Sequence, residues 1–289
     1  MGSVSPIKTI FRRVRRKIIR LWRLNFMIPR LLKYNAYTGF FGRKLFYYLP
    51  FFLPHDKSYY GFAHLVHPGD GLFLDVGAND GISAIGFRHI HSDYRILSIE
   101  PNRYHEPNLK KLKKKLKQFD YLIVAAGSEP GQKILHMPFY SGVPVHTAAS
   151  IRPEFVESSM KDQFRRFGDE KIAVLQQIVE VVRVDDLKLE PDIIKIDAEG
   201  YDYQVLLGAV ATIGQKRPYV VVEYNPHLMD DFEGFFKTLS YVLFTYDYKQ
   251  DCFLPFDKDY ELGVGQLKGV AKNLFCIPKE KAEGLPVTR

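Results

Sequence analysis

At 289 residues, with 46% hydrophobic and 26% charged content, this chain has the composition of a globular protein and the length of one α/β domain with additions, which excludes a disordered or fibrous chain. Its formal charge of +8 sits wholly in residues 1–55, which take twelve of the 41 basic residues and no acid, leaving 29 bases against 33 acids beyond them. The body therefore lacks the broad positive face of a nucleic-acid binder, and Cys252 and Cys276, with no Cys-x-x-Cys or histidine at ligand spacing, point to neither a zinc site nor a disulfide framework.

In residues 1–55 the first predicted element is an amphipathic helix. Ile7, Ile10, Phe11, Val14, Ile18, Leu21 and Trp22 fall on one helical stripe. Lys8, Arg12, Arg13, Arg15, Arg16, Lys17, Arg20 and Arg23 flank it. That is the pattern of a helix lying in an anionic membrane interface, at about 1 kcal/mol per basic residue near the surface. A helix packed on the body and an organelle-targeting segment are the alternatives. No run of 18 apolar residues is present to span a bilayer. Arginines interrupt every candidate signal-peptide core, and Pro6 stands where a myristoylation motif needs Ser or Thr. Phe40–Pro54 reads as an aromatic connector. With cysteines suited to a reducing compartment, the expected location is cytoplasmic and peripheral, at the inner face of a membrane.

The domain proper is expected over residues 56–289. It opens with Leu72-Phe73-Leu74-Asp75-Val76-Gly77-Ala78-Asn79-Asp80-Gly81, an apolar strand that ends on charge and turns through two glycines into the helical pattern Ile82–Ile90. This is the strand–loop–helix opening of a nucleotide-binding α/β unit. A second strand, Arg95–Ile99, ends in Glu100, whose carboxylate can accept both vicinal hydroxyls of a ribose. The loop lacks the G-x-G-x-x-G that lets a backbone press on a pyrophosphate, and its Asp75 and Asp80 would repel one. They suit a ligand with a cationic end and no phosphate, such as S-adenosylmethionine. The expected cofactor set is Asp75, Gly77, Asn79, Gly81, Glu100, Pro101, Asn102 and Ala126.

Strands then alternate with helical stretches, the signature of a doubly wound, mostly parallel sheet. Seven strands are expected, at 72–76, 95–99, 120–125, 193–197, 218–223, 241–247 and 272–277. Glu106–Gln118 is a helix that buries Leu109, Leu112 and Leu116 and turns its lysines to solvent. Gln132–Met137 and Ile178–Val184 form an added strand pair. Between them Pro138–Gln177 shows no strong periodicity and is a candidate substrate cap, with His146, Thr147, Ser150, Arg152, Arg165 and Arg166.

A second charged strand end is Asp192-Ile193-Ile194-Lys195-Ile196-Asp197-Ala198-Glu199-Gly200, followed by the helix Tyr201–Ala209. In a doubly wound sheet it faces the same crevice as Gly77 and Glu100. Glu223 ends the next strand on that edge. Three acids at one mouth suit general-base work or a divalent cation, and spacing does not choose between them. The expected catalytic set is Asp197 and Glu199, oriented by Lys195, with His146 as an alternative base.

Leu74–Gly81, Ile99-Glu100-Pro101-Asn102, Val184-Asp185-Asp186-Leu187, Ile194–Gly200 and Val222-Glu223 together resemble the FkbM-type family of S-adenosylmethionine-dependent methyltransferases. The resemblance covers roughly residues 72–225. It implies a class I methyltransferase fold and methyl transfer to an oxygen, commonly a hydroxyl of a sugar or natural product. The family commonly has Glu or another acid two residues after the D-x-E-G glycine, and Asp202 stands there. Rival readings are a catalytically inactive membrane-docked module on this fold, an NAD-dependent oxidoreductase, and a nucleic-acid methyltransferase.

Overall fold

The computed structural model describes residues 56–65, 70–140, 142–164, 172–256 and 273–287. The basic helix at 7–23, the connector Phe40–Pro54, and Arg165 and Arg166 lie outside the described residues. Among the described residues no helix is long and apolar enough to cross a membrane.

The chain enters the domain through a 3-10 turn, Lys57–His64, then forms β1 (Leu72–Val76), α1 (Ile82–Arg88), β2 (Arg95–Ile99), α2 (Glu106–Lys115) and β3 (Phe119–Leu122). A second group follows: β4 (Ala125–Ala126), β5 (Gly131–Tyr140), β6 (Val143–Pro144), α3 (Pro153–Phe164) and β7 (Ile172–Val182). The alternation then resumes through β8 (Ile193–Ile196), α4 (Asp202–Leu207), α5 (Val210–Lys216), β9 (Tyr219–Glu223) and α6 (Met229–Thr238). It closes with β10 (Tyr241–Asp247), β11 (Cys252–Pro255), β12 (Asn273–Pro278) and α7 (Lys279–Ala282).

The main sheet has the order β11-β10-β12-β9-β8-β1-β2-β3 among the described residues. Strands β3, β2, β1, β8 and β9 are parallel, whereas β12, β10 and β11 pair antiparallel. This corrects the expected mostly parallel, seven-stranded sheet. All seven expected strands are present, but the sheet is mixed and carries an eighth, β11. The cause is local. Asp247 accepts the Lys249 N–H at 2.7 Å, the Asp251 N–H returns to the Asp247 carbonyl at 2.8 Å, and Asp251 adopts φ +57°. Such a tight turn can only return the chain antiparallel, because a parallel return needs a long crossover.

A four-stranded sheet, β4-β7-β5-β6, stands beside the first. Its β5–β7 ladder runs from Gly131↔Val181 to Tyr140↔Ile172. The expected strand pair therefore exists but is longer than read. Pro138–Gln177 is not an aperiodic excursion, since its two ends continue this ladder and α3 lies between them.

Parallel strands covered on both faces are buried at consecutive residues, as all five of β1 are. Leu74, Val76, Ile194, Ile196, Val220 and Val222 pack with Val205, Leu206, Ile213, Phe232 and Phe236 on one face. Phe73, Ile96, Ile193, Val221 and Phe275 pack with Phe87, Leu109, Leu112, Tyr59 and Phe62 on the other.

The Val184-Asp185-Asp186-Leu187 segment has a structural duty. Asp185 accepts the Ala211 N–H at 3.1 Å, the Thr212 N–H at 2.8 Å and the Thr212 hydroxyl at 2.8 Å. It thus caps α5 from a distant part of the chain, satisfying amides with no partner inside the helix. Asp185→Ala should cost about 1–2 kcal/mol, lowering Tm by about 2–8 °C, and Asp185→Asn should recover most of it. Thermal unfolding of the three proteins checks this, and equal midpoints would remove the capping role.

Candidate active site

The loop after β1 leaves the sheet through a backbone reversal. Gly77, Asn79 and Gly81 adopt φ of +80°, +51° and +78°. The N–H groups of Gly77 and Ala78 both donate to the Ile99 carbonyl, at 2.9 and 3.2 Å, which ties the loop to the end of β2. A Cβ on Gly77 would lie 1.8 Å from the Asp197 carbonyl oxygen. The two charged strand ends therefore touch backbone to backbone, and only glycine permits it.

Glu100 stands at the centre. One carboxylate oxygen accepts the Asn79 N–H at 2.8 Å and the other accepts the Asn102 N–H at 2.8 Å. Burial pushes its pKa up, opposed by His105 and these two amides. A cleft opens beside it. Gly77, Asn79, Glu100, Pro101, Asn102 and Ala126 line it together with Asp197, Glu199, His146 and Ser150.

Two residues expected at the cofactor do not line the cleft. Asp75 is 0% exposed and accepts the hydroxyls of Ser83 at 2.6 Å and Ser98 at 3.0 Å. Gly81 faces Leu112 and Leu109 of α2. Asp80, read as attracting a cationic ligand, instead binds His105 Nδ1 at 2.6 Å and Asn108 at 2.8 Å. Spacing marks a carboxylate's place in the chain but not the direction of its side chain.

The catalytic candidates form one cluster. Lys195 is buried on β8, its ammonium 3.1 Å from Asp197 and 3.8 Å from Asp75. Burial alone would lower its pKa, yet Asp197, Tyr59 and Asp75 raise it above the ordinary lysine value. Lys195 acts from behind the cleft wall. Glu199, which lines the cleft, is a non-glycine residue at φ +49°, a conformation costing about 1–2 kcal/mol. Burial, with Asp197, Glu223 and Asp202 nearby, drives its pKa well above the usual carboxylate range. Asp202 accepts the N–H groups of Ala198 at 2.7 Å and Gly200 at 3.2 Å, and burial raises its pKa to about 6. No group of three or more His, Cys, Asp or Glu side chains is placed to hold a metal ion among the described residues.

His105 was absent from the sequence reading. It is 1% exposed, lines the cleft, and sits 4.4 Å from the His146 ring, centroid to centroid. The only signal was its place five residues after Glu100. Tyr201, Leu135, Ala149 and Ile151 also line the cleft, as apolar or aromatic surface that spacing did not single out.

A glycine-turn loop, a ribose-ready carboxylate and an acid-rich wall without a pyrophosphate cradle define a nucleoside-binding α/β site of methyltransferase type. The methyltransferase FkbM domain model matches residues 75–249. The chain belongs to that family, whose methyl donor is S-adenosylmethionine. No curated protein matches it. Among solved structures it is similar to methyltransferase FkbM from Methylobacillus flagellatus KT, at 15% identity and TM-score 0.46, covering 78% of this chain and 48% of that one. The chain thus spans about half the length of that relative. It is also similar to precorrin-6y C5,15-methyltransferase from Geobacter metallireducens GS-15, at 10% identity and TM-score 0.38, over 75% of this chain and 84% of that one. The fibrillarin/Nop5p complex matches at 10% identity and TM-score 0.38, over 80% of this chain and 83% of that one.

The raised pKa of Asp202 has a sign that stability can read. A carboxyl whose folded pKa lies above its unfolded value of 3.8 stabilises the fold fully below that value. That contribution is lost as pH rises through about 6. Asp202→Asn should therefore flatten the fall in unfolding free energy between those two pH values. Denaturant titrations at several pH values measure the slope, and identical slopes in both proteins would refute the assignment.

Proposed function

We propose that this protein transfers the methyl group of S-adenosylmethionine to a hydroxyl of a sugar, a glycan or a related small molecule, and does so at a membrane surface. The observation that carries the cofactor reading is Glu100. Its carboxylate spends one lone pair on each of two backbone amides and keeps others for a pair of vicinal ribose hydroxyls. Gly77 and Asn79 supply the facing backbone, and Pro101, Asn102 and Ala126 extend the wall. These residues fit an adenosine bearing a cationic amino-acid end.

Bound S-adenosylmethionine supplies an electrophilic methyl carbon on a sulfonium. The chain's task is to hold the acceptor hydroxyl in line with it, which can contribute about 7–11 kcal/mol. Asp197, about a third exposed and lining the cleft, accepts the hydroxyl proton, an assistance of about 10²–10⁴-fold. Lys195 fixes the Asp197 carboxyl through the 3.1 Å bond. Glu199, its pKa driven up by burial and neighbouring carboxyls, stands on the same wall.

Calorimetric titration with S-adenosylhomocysteine tests the cofactor reading. Glu100→Ala should weaken binding by about 1–3 kcal/mol, the scale of a lost hydrogen bond to a charged group. NAD should give no heat. Binding of NAD with no response to S-adenosylhomocysteine would sink the proposal.

The membrane part rests on the apolar stripe at residues 7–22 and its eight flanking cations. It favours an acceptor carried by lipid, such as a membrane-linked glycan intermediate. The full chain should co-sediment with anionic liposomes and release as salt shortens the Debye length from about 30 Å at 0.01 M to about 10 Å at 0.1 M. Deleting residues 1–35 should abolish sedimentation and leave S-adenosylhomocysteine binding intact, because every cofactor residue lies beyond Leu72. A full-length protein that ignores such liposomes at low salt would remove both the membrane and the lipid-linked acceptor.

A further inference from the structure

The loop from Asp197 to Gly200 carries two consecutive left-handed residues, Glu199 at φ +49° and Gly200 at φ +83°. Only the second is glycine, so the loop needs outside restraint to keep its shape. Part of that restraint comes from its own side, where Asp202 accepts the Ala198 and Gly200 N–H groups. The rest comes from the segment before α3. The Ser150 hydroxyl donates to the Glu199 carbonyl at 2.7 Å, and Arg152 Nη1 donates to the Gly200 carbonyl at 3.3 Å. The Phe155 ring lies so close to Gly200 that a Cβ there would come within 2.5 Å of it.

The restraining segment is itself anchored. Ser150 forms an isolated antiparallel bridge to His136 on β5, with backbone bonds of 2.9 and 3.1 Å in the two directions. Its hydroxyl also accepts the Arg152 N–H at 3.1 Å. Ser150 is 2% exposed, and with its neighbours Ala149 and Ile151 it lines the cleft. The segment that walls the cleft is thus the one that grips the carbonyls of the strained loop.

We infer that Ser150 and Arg152 are positioning residues for methyl transfer: they clamp the Glu199–Gly200 backbone and so set where the Asp197 and Glu199 carboxyls stand, coupling the seating of the cap to the catalytic loop. The inference rests on the proposed role of Asp197 and Glu199 at the transfer position. It adds residues that need never touch the reacting atoms. Loss of the Ser150 hydroxyl frees the Glu199 carbonyl, and the loop then relaxes away from its left-handed shape. The Glu100 side of the cleft, held by Asn79 and Asn102, stays in place.

The test needs no identified acceptor. S-adenosylhomocysteine is uncharged where the methyl-bearing sulfonium belongs, whereas sinefungin carries an amine there. The ratio of their dissociation constants therefore reads the carboxyl pair, while either constant alone reads the whole cleft. Ser150→Ala should cut the preference for sinefungin about five- to tenfold, within the range of couplings between contacting residues. S-adenosylhomocysteine affinity should fall less than sinefungin affinity, so that the ratio itself moves. Ser150→Thr, which keeps the hydroxyl, should restore the preference. Arg152→Gln should show the same selective loss in milder form, and serves where Ser150→Ala fails to fold.

Asp197→Asn separates the two levels of the argument. It should collapse the ratio, and Ser150→Ala should then add nothing, because the clamp acts through that carboxyl pair. A ratio unchanged by Asp197→Asn would overturn the placement of the acids at the transfer position, and the clamp with it. A collapse in Asp197→Asn beside an unchanged ratio in Ser150→Ala and Arg152→Gln would overturn the clamp alone. Equal weakening of both ligands in the Ser150 variant would reduce Ser150 to a packing role.

Discussion

The charge pair between Lys195 and Asp75 is the constraint around which the site is built. Register places Lys195 of β8 directly beside Asp75 of β1, and Asp75 beside Ser98 of β2. Asp75 also accepts the Ser83 hydroxyl from α1. One buried carboxylate thus ties three parallel strands and the first helix together, immediately below the glycine loop. Burying an ion pair is costly, and an apolar replacement of equal volume is often neutral or stabilising. Its return here is placement. A one-residue slip of β8 would strand an ammonium in the core, so the register that aligns both charged strand ends is the one in which every charge has a partner.

The same ammonium reaches past the core to the cleft. Asp75 holds it from below at 3.8 Å and Asp197 receives it from above at 3.1 Å. Lys195 therefore links a fully buried carboxylate to one that lines the cleft. Around Asp197 other acids crowd the same wall, and like charges in a dry setting raise one another's pKa. Glu199 and Asp202 are raised for this reason, first by burial and then by neighbouring carboxyls. The outcome is a wall with one carboxyl paired to a lysine beside another whose pKa is driven up, two environments on one surface.

Much of this was legible in the chain. A strand that ends on Gly77, another that ends on Glu100 and a third that ends on Asp197 each show an apolar run stopping on a special residue, and parallel topology carries all three to one edge. What stayed hidden was orientation and long-range partnership. Asp75 and Asp80 sit in the right loop, yet one turns into the core and the other toward His105 and Asn108. Asp185 belongs to a recognisable segment, but its partners lie 26 and 27 residues further on. Strand β11 was missed because its turn signal lies in the Asp247 side chain and the φ of Asp251, with no glycine to mark it. The candidate cap read as aperiodic because β7 leaves Ala173, Val174, Leu175 and Gln176 exposed in succession, which is not the alternation a strand usually shows.

The glycine loop is also in direct backbone contact with the start of the Asp197–Gly200 turn. Gly77 leaves room for the Asp197 carbonyl, and Asp197 in turn donates its N–H to Val76 at 3.0 Å. These contacts pin the Asp197 end of the turn to the glycine loop and leave Glu199 and Gly200 to other restraints. On the far side, Ser150, Arg152 and Phe155 press on Glu199 and Gly200. The Asp197–Gly200 turn is therefore held between a rigid sheet edge and an added layer that also walls the cleft. Restraint from two sides is what a left-handed glutamate requires, since its strain persists only where the surroundings over-determine it. Transmission across the turn then follows from packing. Under the proposed function, the sheet side would place the ribose and the cap side the acceptor, with the carboxyls between them fixed by both.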